Sequence, residues 1–465
     1  SPDINLSPAP VYKDAAKEVL RHPGLDNHGM GTIFEELIRR FNEENNEEAG
    51  EHWTPRDVVE LMADLVFMPI ADKIKDASYS CYDGACGTGG MLTVAQDRLL
   101  TLGKRRGKEV AIHLFGQEIN PETYAICTAD MLLKGDGEEA EHIMYGSTLS
   151  DDQNASRQFD FMLSNPPYGK SWKTDAEKMG GKKDILDTRF NAYLSDTTEI
   201  QMLPKTSDGQ LLFLLNNISK MKKDTELGSR IAEVHNASSL FSGDAGSGES
   251  NARRFMFEND LVEAIIALPE SMFYNTSLGT YIWVLTNKKE ERRKGKVQLI
   301  DATAMKSPLK KNMGKKSCEL TPDLQKEIVK IFLAMEESEV SKIFSNSDFG
   351  FWKITVLQPQ LDEDGSVVVD KKGRPVPDKD KTDTEIIPFT YPGGIEGFMD
   401  AEVRPYAPDA WVDPKKTQIG YELSFTKYFY KHVTLRSMKE IVADLRGVEA
   451  ETEGILNTIV EGRND

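Results

Sequence analysis

Four residues with hydrogen-bonding and stacking capacity, Asn165, Pro166, Pro167 and Tyr168, directly follow the apolar run 159–164. If that run is a buried strand, they stand at its carboxyl end, where open α/β sheets bind their ligands. A proline has a carbonyl acceptor but no N–H donor, and its fixed φ stiffens the turn. Asn165 Oδ1 and the Pro166 carbonyl could accept both hydrogens of a planar amine. Tyr168 could stack on the ring that carries this amine, which contributes roughly 1–3 kcal/mol per base.

A glycine-rich turn from Asp83 to Gly90 stands where a strand should lead into a helix. Glycines permit a tight turn and let a ligand approach the backbone. Their spacing differs from the G-x-G-x-x-G of dinucleotide-binding folds, and the sequence has no P-loop motif. Glu118 closes the next strand, where a carboxylate can bind a ribose diol. Together the two features predict a nucleoside ligand, and a structural turn with a surface glutamate is the alternative.

Strand and helix alternate around these residues, which is typical of an α/β fold with a doubly wound, mostly parallel sheet. Two irregular stretches, 169–208 and 241–251, are predicted to be long loops near the site. The predicted strands are 79–83, 111–117, 142–145, 159–164, 230–235, 261–268 and 280–286, and the predicted helices are 31–42, 54–68, 90–102, 121–133 and 209–222.

The chain of 465 residues carries a net charge of −19, from 57 basic and 76 acidic residues. This charge argues against a surface that wraps phosphate backbone unaided, although a local basic face could still bind it. The four cysteines form no C-x-x-C pair, which favours reduced thiols in a cytoplasmic protein and predicts no metal site. No run approaches the roughly 18 apolar residues of a membrane helix, so no membrane association is predicted.

The motifs, in this order, resemble a known family. The run from Asp83 to Gly89 with Asn165-Pro-Pro-Tyr is similar to the S-adenosylmethionine-dependent amino-methyltransferases of DNA. The full set of motifs along the chain resembles the modification subunit of type I restriction-modification systems, in the N6-adenine DNA methyltransferase family. The resemblance covers most of residues 25–300, and four further stretches carry it: Glu51–Arg56, Asp208–Phe213, Gly228–His235 and Phe273–Thr280.

The resemblance implies the S-adenosylmethionine-dependent methyltransferase fold, this cofactor and a set of site residues. Asn165, Pro166, Pro167 and Tyr168 would hold the target base, and Phe273 would pack beside it, with Tyr274 as the nearby alternative. The implied cofactor-binding residues are Glu51, His52, Trp53, Thr54, Pro55, Arg56, Asp83, Ala85, Cys86, Gly87, Thr88, Gly89, Gly90, Glu118, Ile119 and Thr148, the last within the stretch 146–149 that flanks the cofactor's adenine.

The implied reaction is site-specific methylation of adenine N6 in double-stranded DNA. The adenine amine is a poor nucleophile because the ring delocalises its lone pair. Two acceptors at Asn165 and Pro166 would pyramidalise the nitrogen and direct the lone pair at the sulfonium methyl, without a metal or a covalent intermediate. The base must leave the duplex, at a cost that stacking on Tyr168 and Phe273 offsets.

The sequence has no helix-turn-helix or zinc-finger signature, so base reading is assigned to a specificity subunit, which the resemblance also implies. A second copy of the modification subunit in the complex is implied as well, and a restriction (nuclease) subunit is left open. Two alternatives remain. A glutamine amide in a protein presents the same geometry to the site, and the fold could also be a catalytically silent scaffold.

Four segments are predicted. Residues 1–50 form a helical entry segment, the remnant of an N-terminal helical domain, and 51–300 form the catalytic domain. Residues 301–420 form an irregular subdomain with a strand pair, Trp352–Val356 and Val367–Val369, and 421–465 form a helical tail. The tail is predicted to dock on the specificity subunit, with packing on the chain's own core as the alternative. Its apolar seam comprises Ile441, Leu445, Val448, Ile455, Leu456 and Ile459.

Overall fold

A computed structural model describes residues 11–13, 19–21, 54–134, 137–181, 184–194, 198–430, 438 and 441–448, with backbone alone for 11–13 and 19–21. The chain divides into two compact units, residues 1–425 and 426–465. The predicted helix 31–42, the site residues Glu51, His52 and Trp53, and the seam residues Ile455, Leu456 and Ile459 lie outside the described residues. Within the described ranges, no helix is long and apolar enough to cross a membrane.

The strands are numbered in chain order. They are β1 Val11–Lys13, β2 Val19–Arg21, β3 Ala77–Asp83, β4 Val110–Glu118, β5 Ile143–Tyr145, β6 Phe161–Ser164, β7 Asn191–Tyr193, β8 Glu199–Gln201, β9 Arg230–Asn236, β10 Val262–Ala267, β11 Thr280–Thr286, β12 Lys296–Asp301, β13 Ser307–Met313, β14 Lys316–Glu319, β15 Ser341–Ser345, β16 Gly350–Leu357, β17 Asp383–Pro388, β18 Trp411–Val412 and β19 Gln418–Tyr421.

The α-helices of the described chain are numbered in the same way, and residues 441–448 are also helical. They are α1 Arg56–Phe67, α2 Gly90–Arg105, α3 Pro121–Lys134, α4 Glu138–Glu141, α5 Lys173–Lys178, α6 Gln210–Ser219, α7 Ser238–Phe241, α8 Gly248–Glu258, α9 Pro322–Ala334, α10 Gly394–Phe398 and α11 Phe425–Phe429.

A nine-stranded sheet in the order β15-β12-β10-β11-β9-β6-β3-β4-β5 forms the centre of the first unit. The strands from β5 through β4, β3 and β6 to β9 are all parallel, and β10 pairs with β12 in parallel. Strand β11 is antiparallel to both of its neighbours, β9 and β10, and β15 is antiparallel to β12. The prediction of an α/β fold with a mostly parallel sheet is therefore confirmed.

The interior strands of this sheet are buried on both faces. All six residues of β10 are buried, and so are the first six of β9. The helix α1 packs against α2, α9 and β9, and its buried residues belong to one apolar cluster with those of β3, β4 and β6. Parallel sheets covered on both faces have this burial pattern.

The order of the strands places a topological switch between β3 and β6. The chain runs outward from β3 to β4 and β5, and then returns to β6 on the other side of β3. Ligands of open α/β sheets bind in the crevice that such a switch opens at the carboxyl ends of the strands. Asp83 ends β3, and Asn165 directly follows Ser164 at the end of β6.

Two details differ from the sequence prediction. The expected boundary at residue 300 falls inside the sheet, because β15 pairs along β12. The strand pair expected around residues 364–365 is wrong: β16 pairs with β17, β18 and β19, while Val367 and Val369 form single bridges to Leu361 and Pro375. The sheet of β16 has a small apolar cluster of its own, formed by Ile354, Val356, Ile387, Met399 and Ala410.

Candidate active site

A cavity of about 370 Å³ opens at the switch between β3 and β6. This volume lies at the lower end of the usual range for small-molecule sites. Its walls come from the turn after β3, the ends of β4 and β6, the start of α1, and the segments 146–149 and 170–175. Residues that the sequence assigned separately to a cofactor and to a target amine therefore line one cavity.

The turn between β3 and α2 needs glycine for conformation and for space. Gly89 has a φ of +83° and precedes α2, and a Cβ there would lie 2.6 Å from Met131 Cε. Gly87 also has a positive φ, of +54°. Residues with a Cβ avoid this left-handed region, so glycine is favoured at both positions. Without side chains there, a ligand can approach the backbone of the turn.

Glu118 is tied to this turn by both carboxylate oxygens. Oε2 accepts a hydrogen bond from the Gly87 N–H at 2.9 Å, and Oε1 accepts one from the Asn120 N–H at 2.8 Å. The side chain is buried and lines the cavity. A carboxylate offers about four acceptor sites, so two remain for ligand hydroxyl groups.

Asp83 joins the two strands that flank the switch. Its Oδ1 accepts hydrogen bonds from the Ala85 N–H at 3.0 Å and from Ser164 Oγ at 2.7 Å. Burial raises the pKa of this carboxyl to about 7. Thr148 Oγ1 donates to the Gly84 carbonyl and holds the segment 146–149 against the turn.

Asn165 has one polar atom paired and the other unpaired. Its Nδ2 donates to Thr54 Oγ1 at 3.0 Å, just before α1, while its Oδ1 is buried with no hydrogen-bond partner. Among the described residues that line the cavity, this is the only side-chain atom that is buried and unpaired. No protein group donates to this oxygen, so its acceptor capacity is available to a donor that enters the cavity.

Of the rest of the tetrapeptide, Pro167 lines the cavity, whereas Pro166 and Tyr168 are not in its wall. Pro166 is buried, and Pro167 is exposed. Tyr168 is half-buried, and burial raises the pKa of its phenol to about 12. The ring is therefore neutral at ordinary pH.

The structure brings most of the proposed cofactor residues to the cavity wall. Pro55 and Gly89 are not in the wall: Pro55 is buried in front of α1, and Gly89 shapes the turn. The lining residues that the sequence assigned to the cofactor are Thr54, Arg56, Asp83, Ala85, Cys86, Gly87, Thr88, Gly90, Glu118, Ile119 and Thr148.

The expected position of Phe273 beside the target base is wrong for this structure. Its side chain is 1% exposed and belongs to the apolar core cluster, and it does not line the cavity. The neighbouring Tyr274, half-buried, is the more accessible of the two rings.

Sequence reasoning missed the contribution of the segment 170–175. Lys170, Ser171, Trp172 and Asp175 line the cavity, and Asp175 Oδ1 accepts hydrogen bonds from Ser147 and Ser150 at 2.6 Å each. No motif marks these residues, and the only signal was the length of the loop after Tyr168. The second predicted loop, 241–251, packs elsewhere, because Gly248 lies against the Leu203 backbone.

The comparisons with known proteins agree on one family. The model of the family described as N-6 DNA methylase matches residues 25–349. The methylase subunit of the type I restriction enzyme MjaIX from Methanocaldococcus jannaschii is 28% identical over 331 residues, which are 70% of this chain and 52% of that protein. The methylase subunit of the MpnII enzyme from Mycoplasma pneumoniae is 29% identical, over 66% of this chain and 52% of its own length. The chain thus spans about half the length of these curated relatives.

Two solved structures share the fold. The methyltransferase subunit of a type I restriction-modification system from Streptococcus thermophilus has a TM-score of 0.54 and 24% identity, over 70% of this chain and 61% of that one. A modification subunit of a putative type I restriction enzyme from Vibrio vulnificus has a TM-score of 0.50 and 19% identity, over 73% and 63%. At these identities the likeness concerns the fold alone.

Proposed function

The chain belongs to the N-6 DNA methylase family, and from that membership we propose that it methylates N6 of adenine in double-stranded DNA. S-adenosylmethionine is the proposed methyl donor, and the chain acts as the modification subunit of a type I restriction-modification system.

One observation carries the proposal. Asn165 Oδ1 is a buried acceptor without a donor, and Thr54 holds the other end of the amide. In the structure Nδ2 donates to Thr54 Oγ1, and Oδ1 is left as the acceptor for a ligand. The site therefore presents an acceptor to the cavity, as an amine substrate requires.

The other wall of the cavity fits the cofactor. Glu118 retains two acceptor sites for the ribose hydroxyls, and the narrow turn 84–90 lets a nucleoside lie against the backbone. Asp175 adds a carboxylate at the segment 146–149, where the cofactor's adenine is assigned. S-adenosylmethionine, when bound, supplies a methyl group on a sulfonium that a nucleophile can attack directly.

The residues of the tetrapeptide activate the amine. Asn165 Oδ1 and the Pro166 carbonyl accept its two hydrogens, which draws the lone pair out of the ring and orients it toward the methyl group. Both acceptors belong to a stiff turn at the end of a buried strand, so little reorganisation is needed at the moment of reaction. Tyr168 stacks on the flipped base and offsets part of the cost of removing it from the duplex.

The partners follow from the same proposal. A specificity subunit selects the sequence, a second copy of the modification subunit joins the complex, and a cytoplasmic location is proposed with the DNA substrate. The MjaIX and MpnII relatives are themselves named methylase subunits of type I restriction enzymes.

Transfer of labelled methyl from S-adenosylmethionine tests the proposal. The chain, together with the proposed specificity subunit, is given duplex DNA in one reaction and glutamine-containing proteins in another. Label in DNA adenine is the expected result. Label in protein alone would favour glutamine amide methylation, and cofactor binding by calorimetry without any transfer would favour a silent scaffold.

A further inference from the structure

The hairpin of β13 and β14 carries an unusual charge for so acidic a chain. Residues 302–318 contain five lysines and no aspartate or glutamate, whereas the whole chain has a net charge of −19. Four of these side chains are exposed: Lys306, Lys310, Lys311 and Lys315. We refer to residues 306–319 as the lysine hairpin.

These four lysines have no acidic residue among their sequence neighbours from 302 to 318. Within the described ranges none of them forms an ion pair. By contrast, the lysine-containing run 371–381 alternates with acidic residues, and its Lys381 and Arg374 pair with Asp378 and Asp370. The positive charge of the lysine hairpin is therefore not neutralised by its own neighbours.

The fifth lysine anchors the hairpin to the start of α1. Lys316 is buried, and its Nζ donates to Asp57 Oδ2 at 3.0 Å and to the Met272 carbonyl at 3.1 Å. Asp57 Oδ2 also accepts from the Leu320 N–H at 2.8 Å. Asp57 is adjacent in sequence to Arg56, which lines the cavity.

A second set of interactions joins the hairpin to the segment 271–279, which follows β10. The Lys315 N–H donates to the Tyr274 carbonyl at 2.9 Å, and the Ser317 N–H donates to the Ser271 carbonyl at 3.0 Å. Gly314 has a φ of +58°, and a Cβ there would lie 2.6 Å from the same Tyr274 carbonyl oxygen. The turn of the hairpin is thus held against this segment, and Lys316 anchors the hairpin to the start of α1, whose first residue, Arg56, lines the cavity.

Resting on the proposed function, we propose that the lysine hairpin binds the phosphate backbone of the DNA duplex beside the target base. Phosphate contacts position a protein on DNA without reading sequence, and unpaired lysines supply them. An acidic chain needs a local basic surface for such contacts, since its net charge of −19 repels the duplex.

Duplex binding as a function of salt tests this proposal. The full chain, a hairpin variant and a control variant are titrated with a labelled duplex of arbitrary sequence by fluorescence anisotropy. The hairpin variant carries Lys306→Gln, Lys310→Gln, Lys311→Gln and Lys315→Gln. The control carries Lys371→Gln, Lys372→Gln, Lys379→Gln and Lys381→Gln, an identical change of charge at exposed positions.

The hairpin variant is expected to bind the duplex at least tenfold more weakly at low salt. The slope of log affinity against log salt should fall by about 0.9 for each phosphate that the variant no longer neutralises. The control should bind like the unmodified chain. Equal weakening in both variants, unchanged binding by the hairpin variant, or no binding by the unmodified chain at low salt would each overturn the proposal.

Methyl transfer by the same preparations separates this proposal from the proposed function. Normal duplex binding by the hairpin variant, with methyl transfer to DNA intact, would overturn the hairpin's role alone. Hairpin-dependent binding without methyl transfer to DNA would overturn the proposed function alone. A hairpin variant that binds DNA normally but fails to co-purify with the specificity subunit would reassign the surface to a protein partner and overturn its role in DNA binding.

Discussion

The two sides of the cavity differ in how fully their polar atoms are paired. On the side of β3 and β4, Glu118 accepts two backbone N–H groups and Asp83 accepts a backbone N–H and a serine hydroxyl. On the side of β6, Asn165 Oδ1 is buried with no partner. The first side is tied together within the protein, and the second keeps an acceptor free for the proposed amine substrate. We infer that the first side serves cofactor binding and the second serves activation of the amine.

Removing the unpaired acceptor should have the largest effect of the changes considered, and the effect should be on the methylation rate. Asn165→Ala is expected to lower the methylation rate by roughly 10²–10³ or more, the usual cost of one preorganised polar contact. Asn165→Asp retains an acceptor and should keep measurable activity. Cofactor affinity should change little in either variant. Single-turnover transfer to a cognate duplex, with the specificity subunit present, is the measurement, and near-normal activity of the alanine variant would remove Asn165 from the mechanism.

Damage to the side of β3 and β4 should appear in binding. Glu118→Ala is expected to weaken cofactor affinity by about 10–100-fold, because a charge-assisted pair of hydrogen bonds is removed. Glu118→Gln keeps one oxygen acceptor and should weaken it less. Calorimetric titration measures the affinity, and thermal unfolding checks that the fold survives without the hydrogen bonds to Gly87 and Asn120. Unchanged affinity in the alanine variant would contradict the ribose assignment.

The hydrogen bond that orients Asn165 predicts a smaller effect. Thr54→Val removes the hydroxyl oxygen that accepts from Nδ2. The loss of one hydrogen bond, worth about 1 kcal/mol, should lower the rate by roughly 5–10-fold. Thr54→Ser retains the hydroxyl and is the matched control. A fall in rate in the serine variant without a fall in the valine variant would mean that the threonine methyl group, and not the hydrogen bond, matters.

Asp83 predicts a dependence on pH. Its carboxyl has a pKa of about 7 in the folded chain, so it is mostly protonated below this pH and ionised above it. The folded chain binds this proton more tightly than the unfolded chain does. Folding stability therefore falls as pH rises from the unfolded pKa of Asp83 through about 7. Because the cofactor is cationic, its affinity should rise by up to about tenfold between about pH 6 and 8. Asp83→Asn should remove this part of the pH dependence, and an unchanged profile in that variant would contradict the assignment.

Removal of the tail should leave both sides of the cavity unaffected. Tyr421 and Leu423 are buried, and the Tyr421 carbonyl accepts from the buried Arg253 at 2.6 Å. The truncation is therefore placed after Tyr430. Ile441, Leu445 and Val448 are exposed in the second unit, and we expect this face to dock on the specificity subunit. The truncated chain should bind cofactor normally and fail to co-purify with that subunit on a sizing column, whereas a retained complex would exclude this role.

Elements with strong local signals could be predicted from the sequence. The strand before the glycine turn was expected at 79–83 and spans Ala77–Asp83, because an apolar run, a glycine turn and a helix start stand in succession. The tetrapeptide was correctly expected at the end of a buried strand, because proline and asparagine end such runs. These signals depend on residues close together in sequence.

What could not be predicted depends on interactions between residues distant in sequence. Strand β16 pairs with β17, and the segment between them forms only single bridges at Val367 and Val369. The short apolar alternation at Val367–Val369 therefore led to the wrong prediction of a strand. Phe273 and Tyr274 are adjacent, and the sequence does not specify which ring faces the core. Asp175 reaches the cavity through a six-residue helix that no motif marks.

Methylome sequencing of cells that express this chain with the proposed specificity subunit tests the central claim most directly. The predicted result is N6-methyladenine at a defined sequence, which disappears when Asn165→Ala replaces the unmodified chain and the protein level is unchanged. Modified cytosine in place of adenine, no modified base at all, or an unaltered pattern of N6-methyladenine with Asn165→Ala would contradict the account.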